Sequence, residues 1–218
     1  MIREIEYLLP EEIEKRSFEI ISAELRERNL LLKPEQEMVI KRVIHTSADF
    51  DYADTLTFSE GAVETAKRLI KNGADIVTDT NMTLAGINKN ALARFGGSAH
   101  CFMAEKEVAD QAEKRRLTRA AVSMEMAAGI EKPVIFAIGN APTALLRLDE
   151  LIAKKIFRPA FIIGVPVGFV NVEAAKELIL KTDIPYIINR GRKGGSNVAA
   201  AICNALLYEL MRGRHAQE

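Results

Sequence analysis

Three histidines, His45, His100 and His215, are the only side chains in this 218-residue chain whose ordinary titration range lies close to neutrality. Each is a candidate for carrying a proton. His215 falls in the terminal RGRHAQE run, which reads as disordered surface. His100 lies in an apolar strand pattern beside Cys101, where a hydrogen-bonded core imidazole is expected. His45 differs. In RVIHTSADFDYAD it ends a helical pattern off the apolar stripe of Val39 and Val43, with Lys41 and Arg42 one turn earlier and Asp49 and Asp51 just beyond. A helix-end imidazole bonded to the last carbonyls is the ordinary reading of such a position, and proton transfer is the functional one. Ser17 sets a hydroxyl at helical spacing among Ile13, Ile20 and Ile21, where a bond to the carbonyl four residues back is the ordinary outcome. Arg119, within a helical pattern, reads as a solvated face residue.

Four loops rich in small residues are the second kind of candidate. They read Thr78-Asp79-Thr80-Asn81-Met82-Thr83, Ile138-Gly139-Asn140-Ala141-Pro142-Thr143, Gly164-Val165-Pro166-Val167-Gly168 and Asn189-Arg190-Gly191-Arg192-Lys193-Gly194-Gly195-Ser196. Each follows a short apolar run and leads into a helical pattern, where unpaired N–H groups and the helix dipole attract anions. None is a nucleotide fingerprint: GxGxxG with a downstream acid and GxxxxGK[ST] are both missing. RGRKGGS comes nearest, with arginine forks suited to carboxylates or phosphates; the ordinary alternative is a solvated basic loop. Together the loops suggest a wide, backbone-lined cleft with basic edges.

The elements that must position these groups follow from periodicity. Helical spacing covers 11–29, with Ile13, Ile20, Ile21 and Leu25 inward, and a second helix opens at Pro34 with Val39, Ile40, Val43 and Ile44 inward. Ser59 is placed to cap a helix carrying Val63, Ala66, Leu69 and Ile70 that closes at Gly73. A strand at 75–78, a small helical patch, a strand near 99–103 and one long helix from 105 to 128 come next. Three strand-helix repeats finish the chain: 133–138 with 143–155, 159–165 with 172–181, and 185–189 with 195–211. Short strands apolar on both faces and separated by helices predict an α/β, doubly wound, mainly parallel sheet of about five strands. A single domain, 1–218, is expected, with an N-terminal helical pair at 1–47 and an alternating core at 59–212.

Composition narrows the partners. Thirty basic residues balance 30 acidic ones, 48% of positions are hydrophobic and 28% charged, so nothing favours nucleic acid or an anionic membrane. Cys101 and Cys203 form no CxxC pair, which excludes a zinc knuckle and fits a reducing compartment. The charged N-terminus lacks the apolar stretch of a signal peptide and the apolar runs are too short to span a bilayer, so a cytoplasmic location is expected.

KRSF at 15–18, RVIHTSAD around His45, IGNAPTALLRL at 138–148, IIGVPVGFVNVEAAKE at 162–177 and RGRKGGSNVAAAICNAL at 190–206 together resemble the precorrin-8X methylmutase family of cobalamin biosynthesis, which includes the cobalt-precorrin-8 enzymes. The resemblance runs in order over nearly the whole chain. It implies an isomerase that moves a methyl group from ring carbon 11 to ring carbon 12 of a tetrapyrrole, giving the corrinoid hydrogenobyrinate or, with cobalt, cobyrinate. The migration is regarded as a [1,5]-sigmatropic shift that uses no separate cofactor and no metal site on the protein; any cobalt arrives within the substrate. His45 matches the histidine that handles the proton at a ring nitrogen. Ser17, Arg16, Arg119, Asn140, Thr143, Arg190 and Arg192 are the implied substrate-binding residues, meeting ring substituents and carboxylates. The resemblance also implies a homodimer with the cleft near the subunit interface, and neighbouring pathway enzymes as further partners. Thr46-Ser47-Ala48-Asp49 stands where family members often carry ACGS, and resembles the cobalt-pathway versions. Two other functions are weighed: a non-catalytic corrinoid carrier, and a nucleotide or sugar-phosphate enzyme using RGRKGGS as an anion cradle.

Overall fold

Proline at the first position opens each of the first two helices, where its missing N–H has no intrahelical acceptor to lose. These are α1 (Pro10–Glu27) and α2 (Pro34–Ser47) in a computed structural model that describes residues 6–215. The order continues α3 (Tyr52–Thr55), β1 (Leu56–Phe58), α4 (Ala62–Lys71), β2 (Asp75–Thr78), α5 (Asn81–Gly86), α6 (Lys89–Ala93), β3 (Ala99–His100), α7 (Lys106–Arg115) and α8 (Arg119–Ala127). Then come β4 (Val134–Ile138), α9 (Pro142–Ala153), β5 (Phe161–Gly164), α10 (Val172–Ile179), β6 (Tyr186–Asn189) and α11 (Ser196–His215).

The strands lie in the order β1-β6-β5-β4-β2-β3, parallel except for β1, which runs antiparallel to β6 with Leu56 opposite Asn189. Ile76 pairs with Ile135, Phe136 with Ile162 and Ile163 with Ile187. Alternation sends Ile76, Ile135, Ala137, Phe161, Ile163 and Ile187 into one core with residues of α2, α4, α6 and α11. It sends Val77, Phe136, Ile138, Ile162 and Ile188 into another with α8, α9 and α10. α1 adds Ile21 and Leu25 to the first core from outside α2. The chain steps from β2 to β3 in one direction and from β4 through β5 to β6 in the other, so strand order reverses between β2 and β4.

The doubly wound sheet is as expected, but it has six strands among the described residues. The extra one, β1, is three residues long and joins the sheet by its pairing with β6, which no local pattern announces. The single helix expected at 105–128 is two. Arg116 takes a left-handed conformation (φ 54°) that ends α7, and the Thr118 Oγ accepts from the Ala121 N–H to cap α8. Ser59 does not cap α4: Gly61 (φ 61°) precedes that helix, and the Ser59 Oγ instead accepts the Tyr186 N–H at 3.0 Å. Gly73 does close it, at φ 83°. His100 is hydrogen-bonded, its Nε2 lying 3.2 Å from Asp75 Oδ2, but it is half-buried rather than core. The side chain of His215 lies outside the described residues. Cys203 is fully buried, and burial pushes its thiol up to about 12.

Candidate functional site

α2 ends where Ala48 turns left-handed (φ 54°) and its N–H bonds the Ile44 carbonyl. His45 therefore stands in the last turn, exposed to solvent. A ring contact comes from α1: the Phe18 ring stacks on the imidazole with centroids 5.5 Å apart and planes 16° from parallel. The same Phe18 ring carries the guanidinium of Arg42 at 4.9 Å. Arg42 is buried and makes a bidentate pair with Glu14 of α1 at 3.0 and 2.9 Å, and it lies 5.1 Å from the Tyr208 ring of α11. Hydrogen bonding from Arg42 holds the Glu14 carboxyl below the usual range. Ser17, one residue before Phe18, donates to the Ile13 carbonyl at 2.9 Å, which is the ordinary outcome for a helical serine. Arg16 is engaged by Glu6 at 2.8 Å and approaches Glu19 at 3.6 Å.

Two concavities flank this helix end. A groove of about 770 Å³ between α1 and α2 is lined by Phe18 and Met38, by the cations Lys15, Arg26, Lys41 and Arg212, and by the carboxylates Glu14 and Glu19, among others. Met38 and Lys41 of the groove lie on the same helix as His45, two turns and one turn before it, and Phe18 lines the groove while stacking on the imidazole. Beyond His45, a hollow of about 360 Å³ is lined by Thr46, Ser47, Asp49, Tyr52, Val167, Lys193 and Asn197, among others. Lys193 closes its rim by bonding Asp49 at 2.6 Å and Asp51 at 2.5 Å. Those two carboxylates hold its ammonium well above the ordinary lysine value. Burial would raise Asp49, but Lys193 and the Asp51 N–H outweigh it, leaving Asp49 lowered.

At the carboxyl ends of the strands the loops expected to line a wide cleft instead pack against one another. Asp79, fully buried after β2, accepts the N–H groups of Gly139, Asn140 and Ala141 at 2.8, 2.8 and 2.6 Å. Burial pushes its carboxyl up, and the three N–H bonds offset part of that shift. Thr80 bonds Ser196 at 2.8 Å, and a Cβ on Gly139 would come within 2.7 Å of the Ser196 Cα. At Gly194 (φ 154°) a Cβ would stand 2.1 Å from the Val165 carbonyl oxygen, so only glycine fits there. Buried Lys176 donates to the Gly191 and Lys193 carbonyls at 2.7 and 2.9 Å, and burial pushes its amine down to about 8. Arg190 approaches Glu177 at 3.5 Å; Arg192 pairs with Glu173 at 2.9 Å and lies 5.6 Å from the ring of exposed Phe169.

The remaining expected residues lie elsewhere. The Thr118 hydroxyl donates to the Thr143 hydroxyl at 2.8 Å, Asn140 is exposed on the Asp79-bound loop, and Arg119 is the exposed first residue of α8. α8 and α9 belong to the core on the sheet face opposite α2. One chain thus carries Ser17 and Arg16 on α1, the helix packed beside the one that bears His45, and keeps Arg119 and Thr143 across the sheet. Sequence reasoning named Arg42 and Asp79 only as neighbours and loop residues, and gave Phe18 and Lys176 no role. Phe18 sat inside a quoted motif, but only the fold shows its ring on His45. Among the described residues, no three His, Cys, Asp or Glu side chains are grouped to hold a metal ion, and no helix is long and apolar enough to cross a membrane.

Residues 12–209 match the model of the family described as CbiC, precorrin-8X methylmutase. The chain belongs to that family. The cobalt-precorrin-8 methylmutase of Salmonella typhimurium is 45% identical over 205 residues, covering 92% of this chain and 96% of its own. The precorrin-8X methylmutase of Pseudomonas aeruginosa is 37% identical over 200 residues, covering 90% and 94%. The solved structure of the precorrin-8X methyl mutase from Thermus thermophilus superposes with a TM-score of 0.80 at 35% identity, covering 93% of this chain and 98% of that one. This methylmutase is accordingly an isomerase of cobalamin biosynthesis, with the α/β fold of its relatives.

Proposed function

We propose that this isomerase transfers the methyl group at ring carbon 11 of cobalt-precorrin-8 to ring carbon 12, forming cobyrinate, with His45 giving a proton to a ring nitrogen and recovering it. The observation that carries this reading is the exposed His45 imidazole, stacked on Phe18, whose ring also lines a groove of about 770 Å³. The reaction gains and loses no atoms. The methyl leaves one carbon with its bonding pair and joins the next while the double bonds shift, so the protein's work is to bind the ring and set its tautomer. An imidazole exchanges a proton in either direction near neutral pH, which suits that task. Phe18 and Met38 offer apolar surface to the ring, and Lys15, Arg26, Lys41 and Arg212 face its acidic side chains. No separate cofactor takes part, and cobalt enters as part of the substrate. The 45% identity to the cobalt-precorrin-8 methylmutase of Salmonella typhimurium favours the cobalt-bearing form.

The active form in this reading is a cytoplasmic homodimer. Leu9, Ile13 and Ile20 leave an apolar stripe exposed on α1 beside Ser17, and a second copy placed there would enclose the open groove. The same arrangement gives Arg119, remote from His45 within one chain, a route to the site.

The test is anaerobic incubation of wild type and His45→Ala with precorrin-8X and with its cobalt form, followed by visible absorbance. Wild type is expected to convert, faster with cobalt, and the variant to bind product while turnover drops about 100-fold or more. Conversion by the variant at the wild-type rate would remove His45 from the chemistry. Binding without conversion by either protein would leave a carrier.

A further inference from the structure

We propose that Phe18 is a positioning residue: its ring is the platform that fixes the His45 imidazole, and the Arg42–Glu14 pair fixes that ring. The inference rests on His45 being the proton carrier and adds how it is aimed. An exposed histidine on a helix's last turn ordinarily samples several rotamers within nanoseconds. Here the imidazole lies nearly parallel to the Phe18 ring, 16° apart at 5.5 Å, an offset-stacked geometry that restrains both of its torsions.

The platform is itself held. Phe18 belongs to α1 and His45 to α2, so the stack is only as rigid as the contact between two helices. Beside the apolar packing of Ile21 and Leu25, that contact is fastened at the stack by Arg42, one turn before His45, which lies 4.9 Å from the Phe18 ring and bonds both carboxylate oxygens of Glu14, one turn before Phe18. Tyr208 of α11 lies 5.1 Å from the same guanidinium and ties the pair to the body of the protein. A planar fork that bonds a carboxylate bidentately and also meets two aromatic rings has little freedom left. The arrangement matters because a shift of about 1 Å in a catalytic group can lower turnover about 100-fold while ground-state binding is kept.

The experiment compares wild type, Phe18→Leu, Phe18→Tyr and His45→Ala in anaerobic turnover of cobalt-precorrin-8, with product binding by visible absorbance and proton NMR of the His45 ring, whose signals are assigned by their loss in His45→Ala. Phe18→Leu, which keeps an apolar surface on the groove but removes the ring, is expected to lower kcat about 10- to 100-fold while KM and product affinity change by no more than about threefold, and to move the His45 ring signals downfield as the ring current is lost. Phe18→Tyr, which keeps the ring, is expected to stay within about threefold of wild-type kcat and to keep the upfield signals. Unmoved His45 signals in Phe18→Leu would show that the stack does not exist in solution. Equal losses in the Leu and Tyr variants, or kcat unchanged in the Leu variant, would also overturn the proposal. A fully active His45→Ala would overturn the reading beneath it, while the NMR comparison would still judge the stack separately.

Discussion

His45 stands exposed on the last turn of α2 with its ring against Phe18, whereas Asp79 at the end of β2 is buried and bonded by three backbone N–H groups. The first region keeps a reactive group open beside two concavities. The second spends its charged and small residues on holding loops together. Both lie in segments that invite a functional reading from sequence, and the difference lies in where each group's hydrogen-bonding capacity goes. The Asp79 carboxylate and the Lys176 ammonium are already occupied by backbone groups of neighbouring loops. His45 has a ring partner and an open edge. Occupied polar groups build a frame, and open ones are left for substrate.

Breaking the frame is expected to give the largest effects on stability. Asp79→Ala strands the N–H groups of Gly139, Asn140 and Ala141 in a buried setting, and unfolding in denaturant is expected to show a loss of about 3 kcal/mol or more. His45→Ala removes only an exposed ring, so the same measurement is expected to move by less than about 1 kcal/mol despite the loss of turnover. A loss from His45→Ala as large as that from Asp79→Ala would erase the distinction between frame and site.

How far the sequence carries is visible in the same two regions. Strands β4, β5 and β6 were readable because each is apolar on both faces, which a helix-covered parallel sheet requires. β1 was not, because three residues carry no usable period and its partner lies more than a hundred residues away. The break between α7 and α8 has neither glycine nor proline; its signal was Thr118, a good N-cap three residues before Ala121. The loops holding glycines 139 and 194 were read as small-residue linings of a cleft, and at both glycines the backbone of another segment comes close. What approaches them is another loop rather than a ligand, and that depends on pairings between distant segments. His45 and Ser17 stood out by residue type and spacing, whereas Arg16 and the roles given to all three came from motif resemblance. That Phe18 couples α1 to His45 is a tertiary fact with no local signature.

A smaller effect tests whether Lys176 belongs to the frame as a charge. Its folded amine titrates at about 8, below its ordinary value, so the folded protein releases this proton before the unfolded chain does. Over the range from about pH 8 up to the ordinary lysine value the unfolded chain therefore holds more protons, and stability from this group rises with pH. Urea unfolding from pH 7 to pH 10 is expected to show wild type gaining on Lys176→Met by up to about 3 kcal/mol. Parallel curves would mean that the two carbonyl bonds to Gly191 and Lys193 keep the ammonium in its ordinary range.

The smallest effect falls at the border between the two regions. Arg192 springs from the framed loop but is largely exposed, pairing with Glu173 and covering part of the Phe169 ring. An exposed pair of this kind contributes at most about 1 kcal/mol, so Arg192→Ala is expected to leave unfolding nearly unchanged. Its effect should appear in binding. If the guanidinium serves substrate carboxylates, Glu173 competes for it, and Glu173→Gln is expected to lower KM about twofold while Arg192→Ala raises it several-fold. KM unmoved in both variants would place Arg192 wholly with the frame, and the boundary of the site would then be drawn at Lys193, whose bonds to Asp49 and Asp51 reach the end of α2.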